Sequence, residues 1–175
     1  KLALLPKKTR GATVHGTITL RYSDLENSRN RNRAPNLAGM MLMRGTKKHT
    51  RQQIQDELDR LKTRISPSPT GLNTTRFTFE TTRENLTPAI TLLAEILREP
   101  SYPDNEFEQI KQSSLVGAER ALRDPQGLAI ATIRQHLNPY TPDDPRRPKM
   151  PSEEIEEIKA TSLADVKKFY TDVYG

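Results

Sequence analysis

Ala34-Pro35-Asn36-Leu37-Ala38-Gly39-Met40-Met41-Leu42-Met43-Arg44-Gly45-Thr46 is the stretch that decides the fold. Leu37–Met43 is apolar and rich in methionine. Gly45 is placed to stop a helix, because glycine reaches the backbone conformations that end one. Pro35 suits a helix start, where its missing N–H costs nothing. The segment therefore predicts a short apolar helix with a sharp end.

On its N-terminal side, Ala12–Tyr22 alternates. Val14, Gly16, Ile18, Leu20 and Tyr22 share one face; Thr13, His15, Thr17, Thr19 and Arg21 share the other. A period of two over that length predicts a half-buried strand. The apolar run Leu2–Leu5, closed by Pro6-Lys7-Lys8, reads as a second strand, and the two form a hairpin around Gly11. Asp24–Arg33 is a polar loop.

On the C-terminal side, Thr50-Arg51-Gln52-Gln53 has the form of a capping box. It opens a helix with Ile54, Leu58, Leu61 and Ile65 on one stripe. Ser66–Asn73 holds two prolines and a glycine, so it is a turn or a sheet edge. Thr74–Thr81 alternates again as a strand, with Thr75, Phe77 and Phe79 on one face. Thr81-Thr82-Arg83-Glu84 is a second capping box, and Leu86, Ala89, Ile90, Leu92, Leu93, Ile96 and Leu97 make the stripe of the next helix. Pro88 belongs in its first turn. Helices then follow from a Ser101-Tyr102-Pro103-Asp104 start through Phe107 to Leu122, from Asp124-Pro125 through Leu137, over Ser152–Lys159, and over Ser162–Tyr174 behind a Ser162…Asp165 box. Asn138–Pro151 has five prolines and must be a loop. The fold class is α+β: a mainly antiparallel sheet of about four to six strands with helices packed on one face.

The chain has 175 residues, a length that suits one domain. No cysteine means no disulfide, no thiolate nucleophile and no Cys-based metal site. No apolar run is long enough to span a bilayer. The net charge is +6, and the densest basic run, Arg29-Asn30-Arg31-Asn32-Arg33, reads as a solvated loop without interleaved aromatics.

Chemistry is hard to find. His15 falls on a polar strand face, His49 before a helix cap, and His136 near a helix C-terminus. None has a second ligand at helical spacing. There is no G-x-S-x-G, no S-x-x-K and no phosphate loop. Glu153, Glu154, Glu156 and Glu157 read as a solvated helix end.

The opening stretch nevertheless resembles the active-site helix of the pitrilysin/insulinase (inverzincin) zinc peptidases, where H-x-x-E-H precedes Met-Leu and then Gly-Thr. Aligning Met41-Leu42 and Gly45-Thr46 puts the first His at Asn36, the Glu at Gly39 and the second His at Met40. Glu80–Leu86, Leu97–Pro103 with Glu106-Phe107-Glu108, Asn138-Pro139-Tyr140 and Ser162–Gly175 resemble later parts of the same repeat. The third zinc ligand of active members would fall near Val116 or Gly117, with Glu119 two or three residues off.

The resemblance implies a degenerate half of such an enzyme: residues 1–175 as a single peptidase-like domain lacking the zinc motif, in a longer multi-domain chain. It implies no catalytic residues and no metal in this domain, and zinc in a homologous partner half on the same or another chain. The two would enclose an unfolded peptide as a clamshell, and the parent protein would be a zinc metalloendopeptidase. An Arg and a Tyr that assist catalysis in the family would come from the domain that follows. Compartment, periplasmic or cytoplasmic, is not fixed, and neither nucleic acid nor membrane is an expected partner. A structural relative without proteolysis and a basic nucleic-acid-binding domain are the alternatives.

Overall fold

The computed structural model describes residues 3, 5, 10–21, 29, 31, 33–69 and 74–173. After a 3-10 turn at Arg10–Ala12 come β1 (Thr13–Arg21), α1 (Ala34–Met41), a 3-10 turn (Leu42–Arg44), α2 (Arg51–Arg60), β2 (Arg64–Pro69) and β3 (Thr74–Thr82). Then follow α3 (Leu86–Arg98), α4 (Asp104–Leu122), α5 (Pro125–His136), α6 (Pro151–Ala160) and α7 (Leu163–Val173).

The sheet is antiparallel in the order β1-β3-β2. Its three strands are fewer than the four to six expected, among the described residues. The Leu2–Leu5 strand and the end of the Ala12–Tyr22 strand fall wholly or partly outside those residues; Ala3 and Leu5 have no regular structure.

Alternation puts one sheet face on the core and one in water, as β1 and β3 predict. Phe77 and Thr75 are buried on β3, while Arg76, Thr78 and Glu80 are exposed. On β1, His15, Thr17, Thr19 and Arg21 face solvent. Gly16 stands opposite Phe79, whose ring fills the space a Cβ on Gly16 would need. The core joins Phe77 and Ile65 from the sheet with Leu37, Ala38 and Met41 of α1, Ile54 and Leu58 of α2, Leu93 and Ile96 of α3, Phe107 and Ile110 of α4, and Val166 and Phe169 of α7. A smaller cluster sets Ala118 of α4 against Ile155 and Ile158 of α6.

Two boundaries differ from the sequence reading. The stripe Ile54-Leu58-Leu61-Ile65 is not one helix. Lys62 adopts a φ of 48°, which turns the chain, and Ile65 reaches the same core from β2. Nor does Thr81 cap α3. The strand runs on to Thr82, Thr81 is buried with its hydroxyl 2.8 Å from that of Thr63, and Asn85 stands at the N-cap. Sheet pairing with β1 outweighs the local box, because a strand residue gains ladder hydrogen bonds and burial together.

The Thr50 capping box forms as read, with Thr50 Oγ1 accepting from Gln53 N. Asp124 caps α5, and Ser162 and Asp165 bond reciprocally at α7. The proline-rich loop is tied by Asp144. Arg146, hydrogen-bonded to it, holds its carboxyl down to about 2 and lies over the Tyr140 ring at 4.1 Å.

The basic run is not a freely solvated loop. Arg29 pairs with Asp143 at 3.3 Å, Arg31 with Asp172 at 2.8 Å and Arg33 with Glu154 at 3.4 Å. Arg31 also lies over the Phe169 ring. These arginines lead the chain into α1 by holding it to the 143 loop, α7 and α6.

Candidate functional site

Helix α1 is where chemistry would sit. Its buried residues are Ala34, Leu37, Ala38, Gly39 and Met41. Arg33 N donates to Thr161 Oγ1, joining the helix start to the end of α6. Asn36 and Met40, one helical turn apart, lie on the less buried side; Asn36 is half-buried and Met40 is 37% exposed. The three positions that the resemblance sets against a zinc motif thus carry an amide, no side chain and a thioether. A neutral amide is a poor zinc ligand beside imidazole, and a thioether prefers softer metals. Glycine offers no base. Val116 is half-buried on α4, Gly117 has nothing within 4 Å of where a Cβ would stand, and Glu119 is exposed. Among the described residues no group of three or more His, Cys, Asp or Glu is arranged to hold a metal ion. The residues present do not fit zinc.

The histidines lie apart. His15 on the open sheet face is 3.7 Å from Glu80. His136 is exposed in the last turn of α5. His49 is different, and sequence reading missed it: its Nδ1 is 2.7 Å from Oε1 of Glu95 on α3. Thr46 Oγ1 donates to the same carboxylate and accepts from the backbone N–H groups of Lys48 and His49. Burial is the largest single influence on Glu95 and pushes its pKa up. The hydrogen bonds from Thr46 and His49 together with nearby charge outweigh it and hold the carboxyl below its ordinary value. No local signal announces this pair, since Glu95 is read as one more polar residue on an amphipathic helix.

The pair belongs to a clamp. Lys47 N donates to Glu99 O, Ser101 N donates to Gly45 O, and Thr46 bridges to Pro100. Gly45 has φ 151° and ψ 151°, a region that is essentially glycine's alone, and a Cβ there would stand 2.8 Å from Ser101 Oγ. An open pocket of about 420 Å³ borders the clamp, lined by Thr46, His49, Ser101, Asn105 and Glu106 among others. Glu106 is paired with Arg44 at 3.1 Å and Arg51 at 3.4 Å. Glu106 pairs with two arginines, and Glu95 accepts from Thr46 and faces His49, so these contacts fix the loop.

The acidic cluster is likewise structural. Glu153 accepts from Met150 N and Arg147, Glu154 from Arg33; Glu156 pairs with Lys159 and Glu157 with Lys149.

No family model matches the sequence, and no curated protein matches it. Solved structures do match in fold. A peptidase M16 inactive domain from Pseudomonas fluorescens superposes with a TM-score of 0.69 at 21% identity over 88% of this chain. A protease from Helicobacter pylori gives 0.71 at 20% identity over 93%. A conserved protein from Enterococcus faecalis V583 gives 0.73 at 13% over 92%. The chain spans 37% to 40% of the length of these structures. At such identities the likeness is one of fold: the chain has the α+β architecture of a unit found in these longer proteins, one of them described as a peptidase M16 inactive domain.

Proposed function

We propose that the chain is a non-catalytic, peptidase-like domain of a zinc metalloendopeptidase, forming part of the wall or lid of a chamber that encloses unfolded peptide. The observation that carries this reading is α1. It has the packing, the 3-10 exit and the Gly45-Thr46 clamp of a designed element, yet Asn36, Gly39 and Met40 stand where the resembling family places its zinc ligands and base. The fold shared with a peptidase M16 inactive domain supports the same reading.

In this role the domain supplies shape. Closing over a peptide excludes water and orders the chain, while zinc and the activated water belong to a homologous half on the same or a partner chain. Ile130 and Ile133 of α5 and Leu137 at its C-cap are exposed apolar surface available for packing against such a half.

The test is stoichiometric. The chain is dialysed against zinc, then against buffer, and its metal is counted while cleavage of an unstructured peptide is followed. The expected result is no retained zinc and no cleavage. One tightly held zinc per chain would overturn the assignment.

A further inference from the structure

We infer that the outer edge of β2 is closed to strand addition, so that neither an extended peptide nor a second copy of the chain can pair with the sheet there. Two independent observations fix which backbone groups point outward. Arg83 N donates to Ala12 O at 3.0 Å. Because close and wide pairs alternate along an antiparallel ladder, Thr81, Phe79, Phe77 and Thr75 then turn their backbone groups to β1, and Glu80, Thr78 and Arg76 turn theirs to β2. The register pairs those three with Arg64, Ser66 and Ser68. The second observation is proline itself. Pro67 and Pro69 have no N–H, so their pairs with Phe77 and Thr75 cannot be the hydrogen-bonded ones. Both routes leave Ile65, Pro67 and Pro69 facing away from β3.

That outward row carries three carbonyl acceptors and a single donor, Ile65 N–H. A strand docking there needs donors at every second residue, and two of the three are missing. Two of its carbonyl acceptors would be left without a donor on leaving water, at about 1–3 kcal/mol for each orphaned group. Among the described residues β2 pairs with no strand but β3. Proline on an exposed edge is a known guard against such pairing. A peptide lying along this domain would meet its side chains, not its β2 backbone. The inference rests on β2 chemistry and not on the chamber reading, and its test involves neither zinc nor a peptidase.

The test is the double variant Pro67→Thr with Pro69→Thr, compared with the parent chain by sedimentation velocity over rising concentration and by residue-level amide exchange. In the parent, Ile65 N–H should exchange at least tenfold faster than the N–H groups of Ser66 and Ser68, at every concentration. The double variant should self-associate at a concentration at least tenfold lower than the parent, with the amides introduced at positions 67 and 69 protected in the associated form. Concentration-dependent protection of Ile65 N–H in the parent would overturn the inference. So would a double variant that keeps the Ser66 and Ser68 protection and gains no association. Should the double variant not fold, Pro69→Thr alone, at the strand end, is read by the same two criteria.

Discussion

His49 Nδ1 lies 2.7 Å from Oε1 of Glu95, which joins the loop leaving α1 to the last turn of α3. The carboxylate also takes the Thr46 hydroxyl, so one partly buried oxygen organises both. Removing it strands two donors. Glu95→Ala should cost about 1–3 kcal/mol of unfolding free energy, the range for a hydrogen bond to a charged group left unmade. Urea denaturation at neutral pH measures it; a change under a few tenths would show that the clamp holds without the carboxylate.

The same carboxylate sets an acid dependence. Its folded pKa lies below the ordinary 4.5, so the folded state favours the ionised form. Its stabilisation is then fully present above 4.5 and is lost as pH falls through the lower folded value. Glu95→Gln should flatten the fall of stability between neutral pH and the acid range. Parallel slopes for variant and parent in pH-dependent thermal unfolding would refute this.

Gly45 carries the turn out of the first helix in a conformation other residues avoid. Gly45→Ala should destabilise by about 1–3 kcal/mol from backbone strain, with further cost from the approach to Ser101 Oγ. The added Ser101→Gly change should recover the steric part only. Chemical denaturation of the single and double variants separates the two.

Metal-ligating side chains introduced on α1 should have effects that depend on position. Asn36→His with Met40→His places two imidazoles one turn apart on the less buried side of α1, and zinc should raise the midpoint of thermal unfolding of that variant. Gly39→Glu should instead lower stability with or without zinc, because position 39 is buried and an unpaired carboxylate is costly there. Differential scanning calorimetry with and without zinc decides. A Gly39→Glu variant as stable as the parent would mean that the position can open to solvent.

The exposed face of α5 contributes little to the isolated fold. Ile133 is 58% and Leu137 75% exposed, so serine at either should change stability by less than about 0.5 kcal/mol. Phe169 is fully buried, and Phe169→Ala should cost about 3–5 kcal/mol. Equal losses at the two sites would show that α5 is packed after all.

Much of this was legible in the residues. The alternation at Ala12–Tyr22 and Thr74–Thr81 pointed to half-buried strands, because period two is imposed by strand geometry alone. The stripe at Leu92, Leu93 and Ile96, the caps at Thr50, Asp124 and Ser162, and the helix stop at Gly45 were readable for the same reason: each depends on neighbours within one turn. That Asn36, Gly39 and Met40 hold an amide, no side chain and a thioether is written in the chain and needs no coordinates to see.

Tertiary structure decided what depends on distant partners. Ile65 belongs to a strand because Lys62 turns the chain and β3 is there to pair with. Thr81 stays in the sheet because Thr63 and β1 meet it. Arg29, Arg31 and Arg33 look like free charge until Asp143, Asp172 and Glu154 are brought beside them. The His49–Glu95 bond and the donor-poor edge at Pro67 and Pro69 come from the same cause: hydrogen-bond direction and pairing across space are set by how elements pack, and a local pattern of residues cannot encode which far-off group arrives.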